Sequence, residues 1–269
     1  MSSYLDELVA GAHARLDAAR DAEPLDALRE RALQVAPGPS LDVALRGPGV
    51  AVIAEIKRAS PSRGPLAPEL DAVAQAEAYR DGGAAAVSVL TEPDRFLGSL
   101  DDLAAVARLE IPTLRKDFVV APYQVWEARA AGASAVLLVV AALGPHDTQR
   151  LLQSCREAQL DALVEVHNEQ EAALAYEAGA AIVGINARDL NTFEVDQTIF
   201  GRVRPALPDS VVTVAESALS GPEDVRAIAL AGADAVLVGE SLITAPDPRA
   251  AVALFVSAGA SPTTATEYR

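Results

Sequence analysis

Eight short hydrophobic segments recur along the chain, and each ends in a polar or charged residue or is closely followed by one. They are Val50–Ile56, Ala85–Leu90, Ile111–Leu114, Ala135–Val140, Ala162–Val166, Ala181–Ile185, Val211–Ala215 and Ala235–Val238. Patterns typical of helices lie between them, namely Leu70–Arg80, Pro122–Ala131, Asp147–Ala158, Glu169–Ala178 and Gly221–Ala231. Alternating strands and helices indicate parallel strands joined by crossover helices. Eight such units within about 220 residues predict an α/β fold of the closed (β/α)8 kind, the TIM barrel.

An internal echo supports this prediction. The joint between a helix and the next strand reads DGGAAAVSVL, AAGASAVLLVV, EAGAAIVGIN and LAGADAVLVGE, with glycine at Gly83, Gly132, Gly179 and Gly232. Glycine is expected at a helix C-terminus because a positive φ costs it little. The joints lie about two βα units apart, so the echo falls on every second strand. It is typical of a barrel or of a doubly wound sheet, and it says nothing about chemistry.

The composition fits such a fold and narrows the classes of partner. Apolar residues make up 51% of the chain and aromatic residues only 4%, so the core is expected to consist of Ala, Val, Leu and Ile. The formal charge of −16 argues against a general surface for nucleic acid or anionic membranes. It does not exclude an anionic small molecule, because a pocket on an acidic protein can be locally basic. Cys155 is the single cysteine, and we expect an inert thiol in a reducing cytosol.

Residues outside the repeated units are expected to flank the barrel. The first residues lack the basic region and apolar core of a signal peptide, and no apolar run is long enough to span a bilayer, so we expect a cytoplasmic protein. Residues 1–45 are predicted to form an extension of two helices, roughly Tyr4–Asp21 and Pro24–Gln34, packed on the barrel. Residues 46–258 would form the barrel itself. The tail 259–269 is rich in Ser, Thr and Ala and is expected to fray.

Charged residues in the first hydrophobic segment are the strongest functional signal. Glu55 lies two residues before Lys57, and the period of a strand places both side chains on one face. Burying opposite charges costs several kcal/mol per ion before their pairing offsets it. A buried salt bridge followed by a turn is one interpretation. We favour another, in which Lys57 binds an anionic group of a substrate, Glu55 steadies it, and the loop 60–64 closes above.

Two later strand ends repeat this pattern at the place where barrels of this kind carry catalytic groups. Lys116 faces the same side as Leu114, whereas Arg115 faces the other way. An RKD triplet is usually a solvated strand end, but a second inward Lys is a candidate general acid, whose pKa neighbouring cations and desolvation could lower. Glu165 is a candidate general base or acid. His167 has the same parity, and we interpret it as a loop residue rather than a catalyst.

Strands six to eight end in groups suited to orienting a substrate and binding phosphate. Asn186 is neutral, so it would orient hydroxyls or a carboxylate rather than move protons. Arg188 follows at the rim, where its guanidinium could clamp phosphate, although a surface salt bridge is nearly as plausible. Glu216 and Ser217 come to the rim after strand seven. Gly239 begins a loop whose N–H groups, leading into a short helix, would form an anion site.

Several classes of active site are missing from the sequence. Three scattered His and one Cys cannot supply a zinc set. The glycine-rich dinucleotide motif, the Walker-type phosphate loop and the nucleophile elbow are also absent. We therefore expect proton transfer and electrostatics on an anionic organic substrate, with no metal and no cofactor.

Taken in order, the motifs resemble those of indole-3-glycerol-phosphate synthase, an enzyme family of tryptophan biosynthesis. The resemblance covers about residues 50–245 and rests on AEIKRASPSRG, LTEPDRFLGS, LRKDF, VEVH, GINARDL, AES and VGESL. The N-terminal helical extension is also a feature of the family. The resemblance implies ring closure of 1-(2-carboxyphenylamino)-1-deoxyribulose 5-phosphate to indole-3-glycerol phosphate, with loss of CO2 and water.

The resemblance also implies a role for each matching residue. Lys116 would protonate the ketone oxygen as the ring closes, while Lys57 would hold the substrate carboxylate and could act as an acid later. Glu165 would transfer protons during dehydration, with Glu55 holding the lysines in place. The residues implied to orient hydroxyls and the anilino group are Asn186, Glu216 and Ser217. Those implied to cradle phosphate are Ser60, Arg188, Gly239, Glu240 and Ser241, the last three mainly through backbone, and those implied to pack against the aromatic ring are Phe96 and Phe118.

One position departs from the family pattern. Ala218 stands where the family typically has Gly, and a positive φ there would cost Ala about 1 kcal/mol relative to Gly. This leaves open a paralogue that acts on a related anthranilate-derived substrate. Phosphoribosylanthranilate isomerase, which relies on a Cys/Asp pair, fits less well because Cys155 lies in a helical stretch. A non-catalytic phosphate-binding barrel fits less well because it would lose the charged strand ends.

The same reasoning sets the expected partners. We expect a small phosphorylated molecule as substrate, and neither nucleic acid nor a membrane as ligand. We expect a monomer. Association with other enzymes of tryptophan biosynthesis stays open.

Overall fold

Eight parallel strands close into a barrel in the computed structural model, which describes residues 3–260. The strands are β1 (Ala51–Ile56), β2 (Ala86–Leu90), β3 (Thr113–Lys116), β4 (Ala135–Val139), β5 (Asp161–Val166), β6 (Ile182–Asn186), β7 (Val212–Glu216) and β8 (Ala235–Val238). Each strand pairs with its neighbours in sequence, and β8 pairs with β1. The predicted (β/α)8 barrel is confirmed, and the ring closure decides against a doubly wound sheet.

Helices connect the strands and precede the first of them. They are α1 (Tyr4–Ala22), α2 (Leu25–Leu33), α3 (Leu41–Leu45), α4 (Ala72–Asp81), α5 (Leu100–Ala107), α6 (Pro122–Ala130), α7 (Val140–Ala158), α8 (Glu169–Glu177), α9 (Ile199–Val203), α10 (Pro222–Leu230), α11 (Glu240–Ile243) and α12 (Pro248–Gly259). A short antiparallel hairpin, Ala59–Ser60 with Gly64–Pro65, follows β1. Among the helices of residues 3–260, none has both the length and the apolar character needed to cross a bilayer.

The joints between helices and strands follow the predicted echo. Gly83, Gly132, Gly179 and Gly232 all have a positive φ, between 85° and 92°. A left-handed residue ends each helix and turns the chain back into the barrel, a conformation that suits glycine. The echo in the sequence thus reports one repeated backbone geometry.

Strand β3 begins later than predicted. The sequence segment Ile111–Leu114 contains Pro112, which carries no N–H and cannot donate to a neighbouring strand. Pairing with β2 starts at Thr113 and runs to Lys116. The shift brings Lys116 inside the strand, so its side chain takes the inward direction set by the pleat.

Inward-facing side chains change from apolar to charged along the strands. The apolar layers of the barrel interior consist of Ile53, Ala86, Leu114, Ala135, Leu137, Val139, Leu163, Ile182, Val212, Val214, Ala235 and Leu237. Leu41 and Leu45 of α3 belong to the same cluster, so this short helix covers the apolar end. The next inward positions toward the strand C-termini are Glu55, Lys116, Glu165, Asn186 and Glu216. The period of the strand therefore collects these polar groups at one end of the barrel.

The N-terminal helix α1 packs over the opposite, polar end. Its buried face consists of Leu5, Leu8, Ala12 and Leu16. Arg15 on this helix lies 3.3 Å from Glu92 Oε1 and 3.2 Å from Asp117 Oδ1, two buried carboxylates that follow β2 and β3. At the other end of the chain, α12 ends at Gly259. The tail was predicted to fray from residue 259, but Gly259 still belongs to α12, and residues 261–269 lie outside the described residues.

Candidate active site

A cavity of about 500 Å³ opens at the C-terminal ends of the strands. All residues that the sequence analysis assigned to catalysis or binding line this one cavity. They are Glu55, Lys57, Ser60, Phe96, Lys116, Phe118, Glu165, Asn186, Arg188, Glu216, Ser217, Gly239, Glu240 and Ser241. Closure of the barrel therefore brings them together from around the ring, as expected for a site of this fold.

Glu55 and Lys57 form an ion pair on the wall of the cavity. Lys57 Nζ donates to Glu55 Oε1 at 2.7 Å, and both side chains are largely buried. Burial raises the pKa of Glu55, but the two lysines outweigh it and hold this pKa below its ordinary value. Gly239 leaves the pair its space, because a Cβ there would lie 2.5 Å from Glu55 Oε1 and 3.1 Å from Lys57 Nζ. The sequence analysis attributed this glycine to phosphate binding alone.

Lys116 lies between two carboxyl groups. Its Nζ is 3.6 Å from Glu165 Oε2 and 3.8 Å from Glu216 Oε2. Burial lowers the pKa of Lys116, but the surrounding carboxyl groups raise it well above its ordinary value. The expected lowering of this pKa is wrong, because the neighbours are carboxylates rather than cations. Lys116 stays protonated, which is the form that a general acid needs.

The two carboxyl groups beside Lys116 have opposite pKa shifts. Burial raises the pKa of Glu165, but Lys116 and His167 outweigh it and hold this pKa far below its ordinary value. Burial and the nearby charge of Glu165 raise the pKa of Glu216. Two like charges this close resist ionising together, and the directions of the two shifts favour the charge on Glu165 and the proton on Glu216. Gly184 on β6 gives Glu216 its space, since any Cβ there would collide with Glu216 Oε1.

Asn186 connects the ends of β6 and β7. Its Oδ1 accepts from Ser217 Oγ at 2.8 Å and from the backbone N–H of Arg188 at 3.0 Å. The amide N–H2 is then left for Glu165, and this contact contributes to the low pKa of Glu165, after burial and the neighbouring cations. Asn186 is therefore fixed in one orientation, with its donor end toward the carboxylate.

Side chains at the rim of the cavity are suited to an anion. Arg188 donates to the carbonyl of Phe193 at 3.1 Å, and within residues 3–260 no carboxylate forms an ion pair with it. Ser60 Oγ is buried, and it has no hydrogen-bond partner in the described part of the chain. Ser241 Oγ donates to the carbonyl of Leu219 at 2.8 Å and so joins the loops after β7 and β8.

Backbone N–H groups of the same two loops add further donors. Within residues 3–260, the N–H groups of residues 217–219 and 239–241 have no hydrogen-bond acceptor. Ser217 and Ala218 both lie in the left-handed region, with φ of 63° and 58°. Consecutive N–H groups in such a turn converge and form a concave site that favours anions. The positive φ on which the analysis of Ala218 depended is therefore present.

The hairpin after β1 reaches across to the loop after β8. Arg63 Nε lies 2.9 Å from Glu240 Oε1 at the mouth of the cavity. The side chain of Glu240 thus contacts the hairpin, and Glu240 is also the first residue of α11. That the loop 60–64 closes above the site stays a prediction.

Apolar side chains line the remaining wall, and sequence reasoning missed several of them. Phe96 and Phe118 were assigned to a substrate ring, but Tyr4 and Leu8 of α1 and Phe193 after β6 also line the cavity. Tyr4 and Phe193 pack edge to face, with ring centroids 5.0 Å apart. The apolar period of α1 predicts a buried face, yet nothing in its spacing shows where that face docks.

The RKD segment is buried rather than solvated. Arg115 lies 3.1 Å from Asp117 Oδ2 and 3.1 Å from Glu127 Oε2, and both Arg115 and Asp117 are almost fully buried. Asp117 also receives Arg15 from α1. The outward half of this strand end therefore anchors α1 and α6, while Lys116 between them faces the cavity.

Comparison with known proteins agrees with this geometry. The family model described as indole-3-glycerol phosphate synthase matches residues 5–255. The chain belongs to the indole-3-glycerol phosphate synthase family. A protein of that name from Mycolicibacterium smegmatis is 53% identical over 262 residues, which cover 97% of this chain and 96% of the relative. One from Streptomyces griseus is 52% identical over 261 residues, with 97% of each chain covered. The family consists of decarboxylating lyases of tryptophan biosynthesis.

Solved structures share the fold at low sequence identity. A 3-hexulose-6-phosphate synthase matches with a TM-score of 0.63 and 15% identity, over 78% of this chain and all of the other. A thiamine phosphate pyrophosphorylase from Pyrococcus furiosus matches with a TM-score of 0.61 and 16% identity, over 81% and 97% of the two chains. At such identities the likeness concerns the barrel alone, and the family assignment rests on the closer relatives.

Proposed function

We propose that the cavity binds 1-(2-carboxyphenylamino)-1-deoxyribulose 5-phosphate and converts it to indole-3-glycerol phosphate, CO2 and water. The observation that carries this proposal is the position of Lys116 Nζ, 3.6 Å from Glu165 Oε2 and 3.8 Å from Glu216 Oε2, two carboxyl groups whose pKa values shift in opposite directions. The cavity thus offers a base and two acids within reach of one another. Ring closure followed by dehydration needs both kinds of group.

The substrate is expected to lie across the cavity with its two anionic ends apart. Arg188, Ser60 and the N–H groups of residues 217–219 and 239–241 would hold the phosphate. Lys57 would bind the carboxylate of the anthranilate ring, with Glu55 keeping its ammonium in place at 2.7 Å. The ring itself would pack among the apolar side chains Phe96, Phe118, Tyr4, Leu8 and Phe193.

Ring closure begins when the aromatic carbon that bears the carboxylate attacks the ketone carbon. Lys116 donates its proton to the ketone oxygen, which becomes a hydroxyl. The intermediate then loses CO2, and the electrons of the broken bond restore the aromatic ring. Lys116 stabilises the charge that develops on the oxygen, an interaction stronger in the transition state than in the bound substrate.

Dehydration completes the indole. Glu165 takes a proton from the new five-membered ring, and the hydroxyl leaves as water with a proton supplied by a lysine, for which Lys57 is the candidate. Glu216 in its protonated form, Asn186 and Ser217 would orient the hydroxyl groups of the substrate. Asn186 also keeps the Glu165 carboxylate aligned.

The decisive test follows the fluorescence of the indole product after mixing the purified protein with this substrate. We expect turnover by the wild-type chain, and a loss of at least about a hundredfold in kcat for Lys116→Met with little change in substrate affinity, because a general acid contributes about 10²–10⁴-fold. Binding without turnover by the wild type would direct attention to Ala218 and a changed substrate. Normal kcat in Lys116→Met would remove Lys116 from the acid step.

The proposal extends to the setting of the enzyme. Residues 1–45 would act as an extension that roofs the site, and residues 46–258 as the catalytic barrel. The complete set of site residues within one chain favours a monomer, which size-exclusion chromatography with light scattering would test. The buried thiol of Cys155 is compatible with the reducing cytoplasm.

A further inference from the structure

The imidazole of His167 lies behind the catalytic carboxylate, between Glu165 and Glu171. Its Nε2 is 3.4 Å from Glu165 Oε1, an ion-pair contact without hydrogen-bond geometry, and its Nδ1 is 3.3 Å from Glu171 Oε2. Only 15% of the side chain is exposed. The sequence analysis treated His167 as a loop residue. It does follow β5 directly, but its side chain is buried against the site rather than turned to solvent.

Glu171 holds the ring from the far side and is itself held firmly. It accepts from the backbone N–H of His167 at 2.8 Å and from Asn168 Nδ2 at 2.7 Å. Its own backbone N–H donates to Asn168 Oδ1 at 2.8 Å, so that Asn168 caps the N-terminus of α8. The local sequence VEVHNEQE therefore fixes the histidine through a helix cap.

The Glu165 carboxylate has few other contacts that could orient it. Its Oε2 faces Lys116 at 3.6 Å and makes no hydrogen bond within residues 3–260. A lysine on a flexible stem at this distance attracts the charge without setting the plane of the carboxylate. Glu216, Asn186 and His167 are the remaining polar neighbours, and His167 alone among them is a cation.

We propose that His167 is a positioning residue that keeps the Glu165 carboxylate where it takes the substrate proton, as an imidazolium anchored by Glu171. This inference rests on the proposed function. His167 does not line the cavity and would touch no reacting atom. It would act only through Glu165, in the way that outer groups orient the ligands of a reactive centre.

The charges around the ring support the cationic form. His167 faces Glu165 on β5 and Glu171 on α8, with Asp189 of the loop after β6 at longer range and Lys116 beyond Glu165. Burial lowers the pKa of His167, but the two contacting carboxylates outweigh it and raise this pKa to about 10. The ring is therefore charged across the neutral range and adds to the forces that keep Glu165 ionised.

Two substitutions separate the two ends of the ring. His167→Asn keeps an N–H2 near the position of Nδ1, toward Glu171, and gives up the contact with Glu165. His167→Gln can place its N–H2 near the position of Nε2 and keeps a neutral donor toward Glu165. We expect kcat to fall about tenfold to a hundredfold in His167→Asn, with KM almost unchanged, and to recover partly in His167→Gln.

A double-mutant cycle with Glu165→Gln identifies the route of the effect. If His167 acts through Glu165, adding His167→Asn to Glu165→Gln should cost less than about twofold in kcat. In both His167 variants the acid limb of the kcat profile should move to higher pH, because loss of the cation raises the pKa of Glu165. A merely structural role would lower activity equally in both backgrounds.

The outcomes distinguish this inference from the proposed function. Absence of turnover in the wild type would overturn the proposed function and the inference with it. Turnover in the wild type together with an unaffected His167→Asn, or with an equal loss in the Glu165→Gln background, would overturn the positioning role alone. The positioning role would be supported if His167→Asn lowered kcat only when Glu165 is present, and if His167→Gln recovered part of that kcat.

Discussion

Ala218 is strained in this structure, and its replacement by glycine should stabilise the protein. Its φ of 58° lies in the left-handed region, where an L residue costs about 1–2 kcal/mol. Glycine removes that strain but adds about 0.4–1 kcal/mol of unfolded-state entropy. The expected net gain for Ala218→Gly is about 1 kcal/mol. In a chain of this size, that gain corresponds to a rise in Tm of about 2–4 °C.

A matched substitution separates strain from the general effect of adding glycine. Ala231 is an exposed alanine at the C-terminus of α10, but its φ is −82°, where alanine has no strain to lose. Ala231→Gly should therefore destabilise the protein by about 0.5–1 kcal/mol. The changes in the free energy of unfolding should have opposite signs in the two variants. Comparing them cancels errors common to both measurements.

Urea unfolding of both variants, with thermal unfolding as a second probe, provides the measurement. In Ala218→Gly, the strain is relieved equally in the free and the substrate-bound protein, so KM for the phosphorylated substrate should stay about the same. Equal losses of stability in the two variants would refute the argument from strain. A higher KM in Ala218→Gly would show that the alanine helps to hold the phosphate loop in shape.

Three further substitutions test other parts of the site. Arg188→Ala should raise KM about tenfold or more and leave kcat almost unchanged, because charge-assisted hydrogen bonds contribute about 1.5–3 kcal/mol. Steady-state kinetics measures both constants, and an unchanged KM would place Arg188 outside the phosphate site. Gly239→Ala should lower kcat strongly and the free energy of unfolding only slightly, because its Cβ would lie 2.5 Å from Glu55 Oε1 and displace the Lys57 ammonium. Normal activity of this variant would contradict the steric reasoning. Glu216 has a raised pKa in the folded state, so above the ordinary carboxyl pKa the folded chain keeps a proton that the unfolded chain has lost. The free energy of unfolding therefore falls as the pH rises above that value. Glu216→Gln should flatten that decline in urea-unfolding free energy between about pH 5 and 8, and an unchanged slope would assign the decline to another group.

Strand periodicity was sufficient to predict which side chains share the cavity. Glu55, Lys57, Lys116, Glu165 and Glu216 occupy inward positions because each strand alternates its faces and every strand ends at the same side of the ring. Both rules act within a few residues, so they can be read from a sequence. The identity of the family followed from the same strand ends.

Contacts between distant parts of the chain could not be predicted in this way. Arg15 meets Glu92 and Asp117 across 77 and 102 residues, and no local spacing encodes that docking of α1. The predicted direction of the Lys116 pKa shift was wrong for a related reason. It depends on which strand ends lie across the barrel from Lys116, and the sequence shows only which residues adjoin it.

The local balance of charge explains how an acidic protein can bind a substrate with two anionic ends. The formal charge of the chain is −16, but an exposed charge is screened beyond a Debye length of about 8 Å at physiological ionic strength. Inside the cavity, screening is weaker, and the ammonium groups of Lys57 and Lys116 and the guanidinium of Arg188 face two ionised carboxylates, Glu55 and Glu165. Protonation of Glu216 removes a third negative charge. The elevated pKa of this one buried carboxyl therefore lowers the negative charge around Lys116, and deprotonation of Glu216 at alkaline pH should weaken substrate binding as well as folding.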